Sequence, residues 1–347
     1  MYTIKFTPYR RELGEIMLRQ TAGGRGLSDD GKYRFVVSDD TEEADFWVVQ
    51  GKGLRHPQSC HVAPENTLLL TTEPKSVLTY PKPYIRQFGA VCSCQSDMKH
   101  ERLILSQPVL PWFVGYKESA DGKCTATLTY DDLKDSLTPP KTKLLSVITS
   151  NKAFTKGHLE RIAFVEKMKA HYGDKLDVFG RGYKDFDDKW DVLSSYQYHI
   201  VLENSSQDYY WTEKISDCFL AEAFPFYYGC TDLERYFAED AFIRIDIRRP
   251  QEAIEIIDRA ISSRVYERRR AALHDCKMKV LGEFNMFNYI ASLCDRMNPD
   301  APKQRVEIHP CHSMQSWHNL YNYFIRRNIF KLQQRVKDVF CGKPKFG

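Results

Sequence analysis

The chain has 347 residues, of which 42% are hydrophobic and 28% charged. That is enough to bury two cores of ordinary domain size, and too apolar for a disordered polymer. A net charge of +4 is too small to mark a nucleic-acid-binding surface.

The first residues enter a strand pattern directly, with no apolar leader of the secretory kind. No run of about 18 apolar residues reads as a membrane span. Residues 2–6, 33–37, 46–49 and 67–70 have the β-branched and aromatic content of strands. Gly23, Gly24 and Gly26 lie in a loop without a preceding strand, so they are not a dinucleotide fingerprint. Thr71-Thr72-Glu73-Pro74 follows the strand at 67–70, and its proline stiffens the loop. Residues 82–93 read as a helical turn leading into a strand, and 108–112 as an extended crossing segment. Residues 118–143 are polar and end near Pro139-Pro140, which predicts an interdomain connection. Asp131-Asp132 and Asp187-Asp188 are expected in solvated turns.

A second α/β unit opens with a strand at 143–149, followed by Ser150-Asn151. A helix is expected from about residue 158 to 172, then a strand at 177–180 that closes on Arg181-Gly182. Residues 252–261 and 266–281 carry apolar residues at helical spacing. The expected organisation is a first α/β domain over residues 1–135, a second over 136–310 and a tail over 311–347. The tail is basic and aromatic, with Trp317, Tyr321, Phe324, Arg326, Arg327 and Lys331 among others. Three readings fit it: a packed final helix, a helix docked on anionic membrane, or a partner-binding helix.

Ten cysteines are scattered through the chain, and only Cys92 and Cys94 stand close together. They read as reduced thiols acting as small hydrophobes, as in a cytosolic protein. His309 and His312 flank Cys311, but the set lacks a second half and is no zinc signature.

The richest stretch is 198–245. A short apolar strand ends in Glu203-Asn204-Ser205-Ser206. Thr212-Glu213-Lys214 then opens a helix with Ile215, Cys218, Phe219 and Ala223 at helical spacing, and Pro225 is expected to end it. Phe226-Tyr227-Tyr228 forms the next strand and Gly229 a turn. In open α/β sheets, ligands gather at strand carboxyl ends and helix N-termini, where free N–H groups favour anions. A phosphate-bearing ligand is therefore expected at this loop.

The same stretch resembles the donor-binding motif of the α-1,3/1,4-fucosyltransferases, glycosyltransferase family 10. The matching residues are Leu202-Glu203-Asn204-Ser205, Asp208-Tyr209-Tyr210-Trp211-Thr212-Glu213-Lys214, Phe224-Pro225, Gly229 and Asp240-Ala241-Phe242-Ile243. Leu202 stands where the family has Phe. The Asp-Tyr segment is one residue longer than in the animal enzymes, so Tyr209 and Tyr210 both match the sugar-nucleotide tyrosine. Val178-Phe179-Gly180-Arg181 and the Arg161 helix after Ser150-Asn151 also resemble family segments, and Glu73-Pro74 resembles the segment holding its proposed base.

The resemblance implies an α/β, GT-B-like fold with two Rossmann-like domains facing a cleft. It implies inverting transfer of L-fucose from GDP-β-L-fucose to a glycan hydroxyl. Glu73 is the implied catalytic base. Arg181, Tyr210, Glu213, Lys214, Asn204, Glu203, Arg161 and Asn151 are the implied donor-binding set. Glu203 and Asn204 also fit a role in bracing their loop. No metal site and no cofactor are implied, with GDP-fucose as substrate and a divalent cation at most stimulatory. The expected partner is a glycan, such as an N-acetylglucosamine-containing surface polysaccharide, and no nucleic acid. The expected location is cytoplasmic, with peripheral contact at an anionic membrane face. Two alternatives stand beside this reading: a GT-B enzyme using another nucleotide sugar, and a non-catalytic glycan-binding protein of the same fold.

Overall fold

A computed structural model describes residues 1–314, except 11, 120, 121, 138 and 151–155. The basic aromatic tail and Asn151 lie outside the described residues. In chain order the strands are β1 (Tyr2–Thr7), β2 (Tyr33–Val36), β3 (Phe46–Gln50), β4 (Gln58–Val62), β5 (Thr67–Leu70), β6 (Ala90–Ser93) and β7 (Leu103–Leu105). They continue with β8 (Tyr116–Glu118), β9 (Cys124–Ala126), β10 (Lys143–Ile148), β11 (Leu176–Phe179), β12 (Tyr196–Leu202), β13 (Phe224–Tyr228), β14 (Ile243–Arg244) and β15 (Gln304–Ile308).

Two open parallel sheets organise the chain. The first runs β2-β1-β3-β5-β6-β7 and the second β11-β10-β12-β13-β14, with every neighbouring pair parallel. In each, the strand that opens the sheet lies inside it, and the next strand pairs on its outer side. That is the doubly wound order, and it leaves a crevice at the carboxyl end where the winding reverses. The reversal falls between β1 and β3 in the first sheet, and between β10 and β12 in the second.

Parallel sheets bury both faces, so their strands read as continuous apolar runs. All five residues of β3 are buried. Phe46 and Val48 face one core with Ile4, Phe6 and Leu68, whereas Trp47 and Val49 face another with Tyr84, Phe88 and Ile308. The period of two along the strand sorts them. The helix Met286–Cys294 covers the first of these faces, and β15 pairs antiparallel with β4. The chain therefore returns to the first sheet after building the second, although sequence pattern groups residues 136–310 together. In the second unit, Val147, Ile200 and Phe226 pack with Ile215 and Phe219 of the helix Glu213–Leu220, and with Ile257 and Leu273.

Three local expectations are corrected. The helix after Lys214 ends at Leu220, and Pro225 lies within β13, paired in register with His199. β14 pairs only with Phe226 and Tyr227, so the outer edge at Pro225 carries no ladder partner and its missing N–H is tolerated. The stretch 118–143 is structured: β8 and β9 form a hairpin, and the helix Tyr130–Asp135 opens on a capping box between Thr129 and Asp132. Asp188 is no solvated turn residue. It is 2% exposed and accepts from the N–H groups of Gly115 and Trp190 and from the Thr127 hydroxyl.

The Gly115 bond belongs to the first crossing between the units, residues 112–115. Buried Arg19 donates to the carbonyls of Leu128 at 2.7 Å, Val114 at 3.0 Å and Trp112 at 3.4 Å, with its guanidinium 4.2 Å from the Trp112 ring. From the other unit, Asp217 accepts from Phe113 N at 2.7 Å and Val114 N at 3.1 Å. Gln20 ties both crossings: its side chain donates to Trp112 O, and its carbonyl accepts from Asn285.

Candidate active site

The loop after β12 and the helix that follows carry a charge cluster of Glu203, Glu213, Lys214, Lys189 and Asp217. Glu203 is 2% exposed, and its oxygens accept from Thr212 N at 2.9 Å and from the Thr212 hydroxyl at 2.8 and 2.9 Å. Thr212 is the N-cap of the helix Glu213–Leu220, so a buried carboxylate fixes the residue that starts the helix. Gly229 makes room for it, since a Cβ there would stand 2.4 Å from Glu203 Cγ.

Lys214 reaches back over the same helix start. Its Nζ lies 3.3 Å from Glu203, 3.1 Å from Glu213 and 3.0 Å from the Thr212 hydroxyl. Burial opposes its charge, but Glu203 and Glu213 hold the ammonium above the ordinary lysine range. Glu213 also faces Lys189 at 3.9 Å, and Lys189 bonds Asp217 at 2.6 Å. Burial works against the Glu213 charge, yet Lys214 and Lys189 keep its carboxyl well below the usual range. Glu203 goes the other way, because burial dominates and raises it.

Arg161, on the helix Lys156–Tyr172, is 7% exposed and donates from Nη1 to Asn204 Oδ1 at 2.9 Å. Its Nε has no partner among the described residues. Burial lowers its pKa. A buried guanidinium with an unsatisfied donor, beside the crevice between β10 and β12, has a hydrogen-bond donor to offer an anion. Arg181 stands just beyond β11 at the same edge of the sheet, exposed, with no hydrogen bond or ion pair among the described residues. The turn before it requires glycine: Gly180 has φ +110, and a Cβ would meet the Thr149 carbonyl at 1.9 Å.

The first sheet meets this cluster with its own carboxyl edge. Glu73, three residues past β5, is half-buried and accepts from the Tyr210 hydroxyl at 3.2 Å, a contact spanning 137 positions of sequence. Burial raises the Glu73 carboxyl, which Lys214 and the Tyr210 bond partly offset. Gln207 donates to the Cys94 carbonyl at the end of β6. Tyr210 is itself 0% exposed, so in this arrangement its hydroxyl rather than a ring face is engaged. Tyr209 turns away: it has φ 62, its N–H donates to Asp232, and Arg235 lies 5.4 Å from its ring.

Sequence reasoning missed Tyr9. It follows β1, at the reversal point of the first sheet, and burial followed by the charges of Glu213 and Glu73 raises its hydroxyl. Its position after a first strand was the only available signal. Of the expected set, Glu203, Glu213 and Lys214 form one bonded cluster, Glu73 and Tyr210 form a hydrogen-bonded pair that feels the charge of that cluster, and Asn204 pairs with Arg161. Arg181 stands apart, and Asn151 is outside the described residues. Among the described residues no three His, Cys, Asp or Glu side chains could together hold a metal ion.

Two doubly wound sheets present their carboxyl edges to a shared charged cluster, the place where open α/β sheets bind ligands. Residues 138–308 match the family model described as glycosyltransferase family 10 (fucosyltransferase), C-terminal. The match spans 171 of the 347 residues and includes the loop after β12 with Glu203, Glu213 and Lys214. Among solved structures, an α1,3-fucosyltransferase with GDP is similar over 86% of this chain and 91% of that chain, at 14% identity and a TM-score of 0.48. The same type of enzyme with GDP-fucose gives 14% identity and a TM-score of 0.46, with the same shares covered. An α-glucosyltransferase in complex with UDP and a mismatched 13-mer DNA covers 85% of this chain and 100% of its own, at 9% identity and a TM-score of 0.49. No curated protein matches the chain. No helix among the described residues is long and apolar enough to cross a membrane.

Proposed function

We propose that this protein is a GT-B glycosyltransferase that moves L-fucose from GDP-β-L-fucose to a hydroxyl of a glycan acceptor, with inversion at the anomeric carbon. One observation carries the reading: Glu73, from the first sheet, is held by Tyr210 against the Lys214 cluster of the second. A carboxylate facing the helix start, where a diphosphate would lie in this reading, supports in-line displacement.

In this proposal the diphosphate is received by Arg161 and Lys214, with Arg181 and Asn151 from the same sheet edge. As the glycosidic bond breaks, negative charge grows on the departing GDP, and these cations stabilise it. Glu73 accepts the proton of the acceptor hydroxyl while that oxygen attacks the anomeric carbon. Glu213 accepts hydrogen bonds from donor hydroxyls. Glu203 and Asn204 are positioning residues: Glu203 fixes Thr212 and Lys214, and Asn204 orients Arg161. The proposed domain division follows the two sheets, with the donor bound mainly by residues 136–282. A divalent cation acts at most as a stimulant. The acceptor is a glycan bearing N-acetylglucosamine, and the basic tail holds the enzyme at the cytoplasmic face of an anionic membrane, a reading carried by sequence alone.

The test is calorimetry with GDP-fucose, GDP and UDP sugars, together with turnover of Arg161→Ala, Lys214→Ala and Glu73→Gln. GDP and GDP-fucose are expected to bind far more tightly than UDP sugars. Arg161→Ala and Lys214→Ala lose donor affinity and turnover. Glu73→Gln keeps donor affinity and loses about 10²–10⁴ in rate. Preference for a UDP sugar overturns the donor, and full turnover by Glu73→Gln overturns the base.

A further inference from the structure

Lys189 and Asp217 stand outside the residues assigned to the donor, yet they link the crossing at 112–115 to Glu213. We propose that they are positioning residues for the donor site: Lys189 keeps Glu213 ionised and in place, and Asp217 anchors Lys189 to the crossing. The inference rests on the donor reading above and adds two residues that act through Glu213.

The link is continuous. Phe113 N and Val114 N donate to Asp217 Oδ1 at 2.7 and 3.1 Å. Asp217 Oδ2 accepts from Lys189 Nζ at 2.6 Å, and that ammonium lies 3.9 Å from Glu213 Oε1. Glu213 Oε1 also accepts from Lys214 Nζ at 3.1 Å. One carboxylate oxygen therefore faces two ammonium groups, from its own helix and from the helix Lys189–Leu193. That second helix is itself tied to the crossing. Its N-cap Asp188 accepts from Gly115 N at 2.9 Å, and Lys189 Nζ lies 5.4 Å from the Phe113 ring. Glu213 and Asp217 are four residues apart and share a helix face. Their exposure divides the roles. The Glu213 side chain keeps 16% of its surface open, whereas Asp217 keeps 1%. Glu213 can reach a ligand; Asp217 is enclosed with Lys189 and the crossing.

A carboxyl group accepts hydrogen bonds at both oxygens only when it is ionised. Burial opposes the Glu213 charge, and so do Glu203 in the loop after β12, Glu73 in the first sheet and Asp217 on its own helix. The Tyr210 and Tyr9 hydroxyls face it as well. Lys214 and Lys189 outweigh these and hold its carboxyl well below the usual range. Lys214 is shared with Glu203 and, in the donor reading, with the diphosphate. When the diphosphate draws on Lys214, Lys189 is the cation that stays with Glu213.

The test measures the affinity of GDP-fucose by calorimetry, at steps from about pH 5 to about pH 8. It compares the intact protein with Lys189→Met, Lys189→Gln, Lys189→Arg and Asp217→Asn. Both phosphates of GDP-fucose are esterified, so the ligand itself does not titrate in this range. Without Lys189 the Glu213 carboxyl rises. Between pH 7 and pH 5, Lys189→Met should therefore lose about tenfold more affinity than the intact protein, the effect of one pH unit below a pKa. Lys189→Arg should restore the intact profile. Asp217→Asn keeps acceptors for the crossing and releases Lys189, and should weaken binding without adding an acid loss. Lys189→Gln keeps a donor for Asp217 but not the charge, so it decides the matter if Lys189→Met fails to fold. Unchanged affinity, or an equal loss at every pH, in the Lys189 variants overturns the role in holding Glu213. Unchanged affinity in Asp217→Asn overturns the anchor. Failure of GDP-fucose to bind the intact protein overturns the donor reading instead.

Discussion

The bond between Tyr210 and Glu73 sets a measurable acidity. Burial raises the Glu73 carboxyl, and the Tyr210 hydroxyl stabilises its charged form. A base works only when deprotonated, so kcat/KM should rise with pH through the Glu73 pKa, at a pH above the ordinary carboxylate range. Tyr210→Phe removes the stabilising donor. The acid limb of its pH–rate profile should therefore move further upward, with little change on the alkaline side; an unmoved limb would separate Glu73 from the proton transfer. Most candidate residues were legible in the sequence because they sit in one local run, 203–214. What that run does not reveal is how their roles divide. Glu203 and Glu213 are both acidic and close in sequence, but Glu203 is occupied by a helix cap, whereas Glu213 faces two lysines. Tyr9 and the pairing with Glu73 depend on contacts across more than a hundred residues, which no local pattern contains.

The strands of both sheets were legible for a simple reason: a strand buried on both faces leaves an uninterrupted apolar run. The misreadings have physical causes as well. Proline ordinarily stops a helix, which makes Pro225 look like a terminator, but the short β14 leaves it an open edge within the sheet. The helix Met286–Cys294 lacks a clear polar stripe because most of its surface is enclosed. Within the second sheet, His199 of β12 bonds the Ser146 hydroxyl of β10 at 2.8 Å. Burial, with Lys189 adding to it, holds its pKa at about 3, against 6.5 for the free residue. A histidine whose folded pKa is depressed takes up its proton on unfolding. Its contribution is complete above pH 6.5 and is lost as the pH falls from 6.5 towards about 3. Each unit of depression is worth about 1.4 kcal/mol. Denaturant melts at stepped pH should show this acid loss, and His199→Asn should reduce its slope below pH 6.5 at some cost in stability at neutral pH.

For the whole molecule, the decisive residue is Arg19. It is buried, and it satisfies three carbonyls around the crossing at 112–115 while stacking on Trp112. Arg19→Met keeps the bulk but leaves those carbonyls without their donor. A loss on the order of 3 kcal/mol in unfolding free energy is expected from equilibrium denaturation, since each buried unsatisfied group costs about 1–3 kcal/mol. A change below a few tenths would mean that water replaces the guanidinium. The return of residues 286–314 to the first sheet has a further mechanical consequence. Among the described residues the two lobes are joined not by one tether but by two, both tied to Gln20. A single tether would let one lobe swivel and twist freely against the other. Two adjacent crossings resist that torsion as the paired leaves of a door hinge do, and so hold Glu73 in line with the same partner, Tyr210.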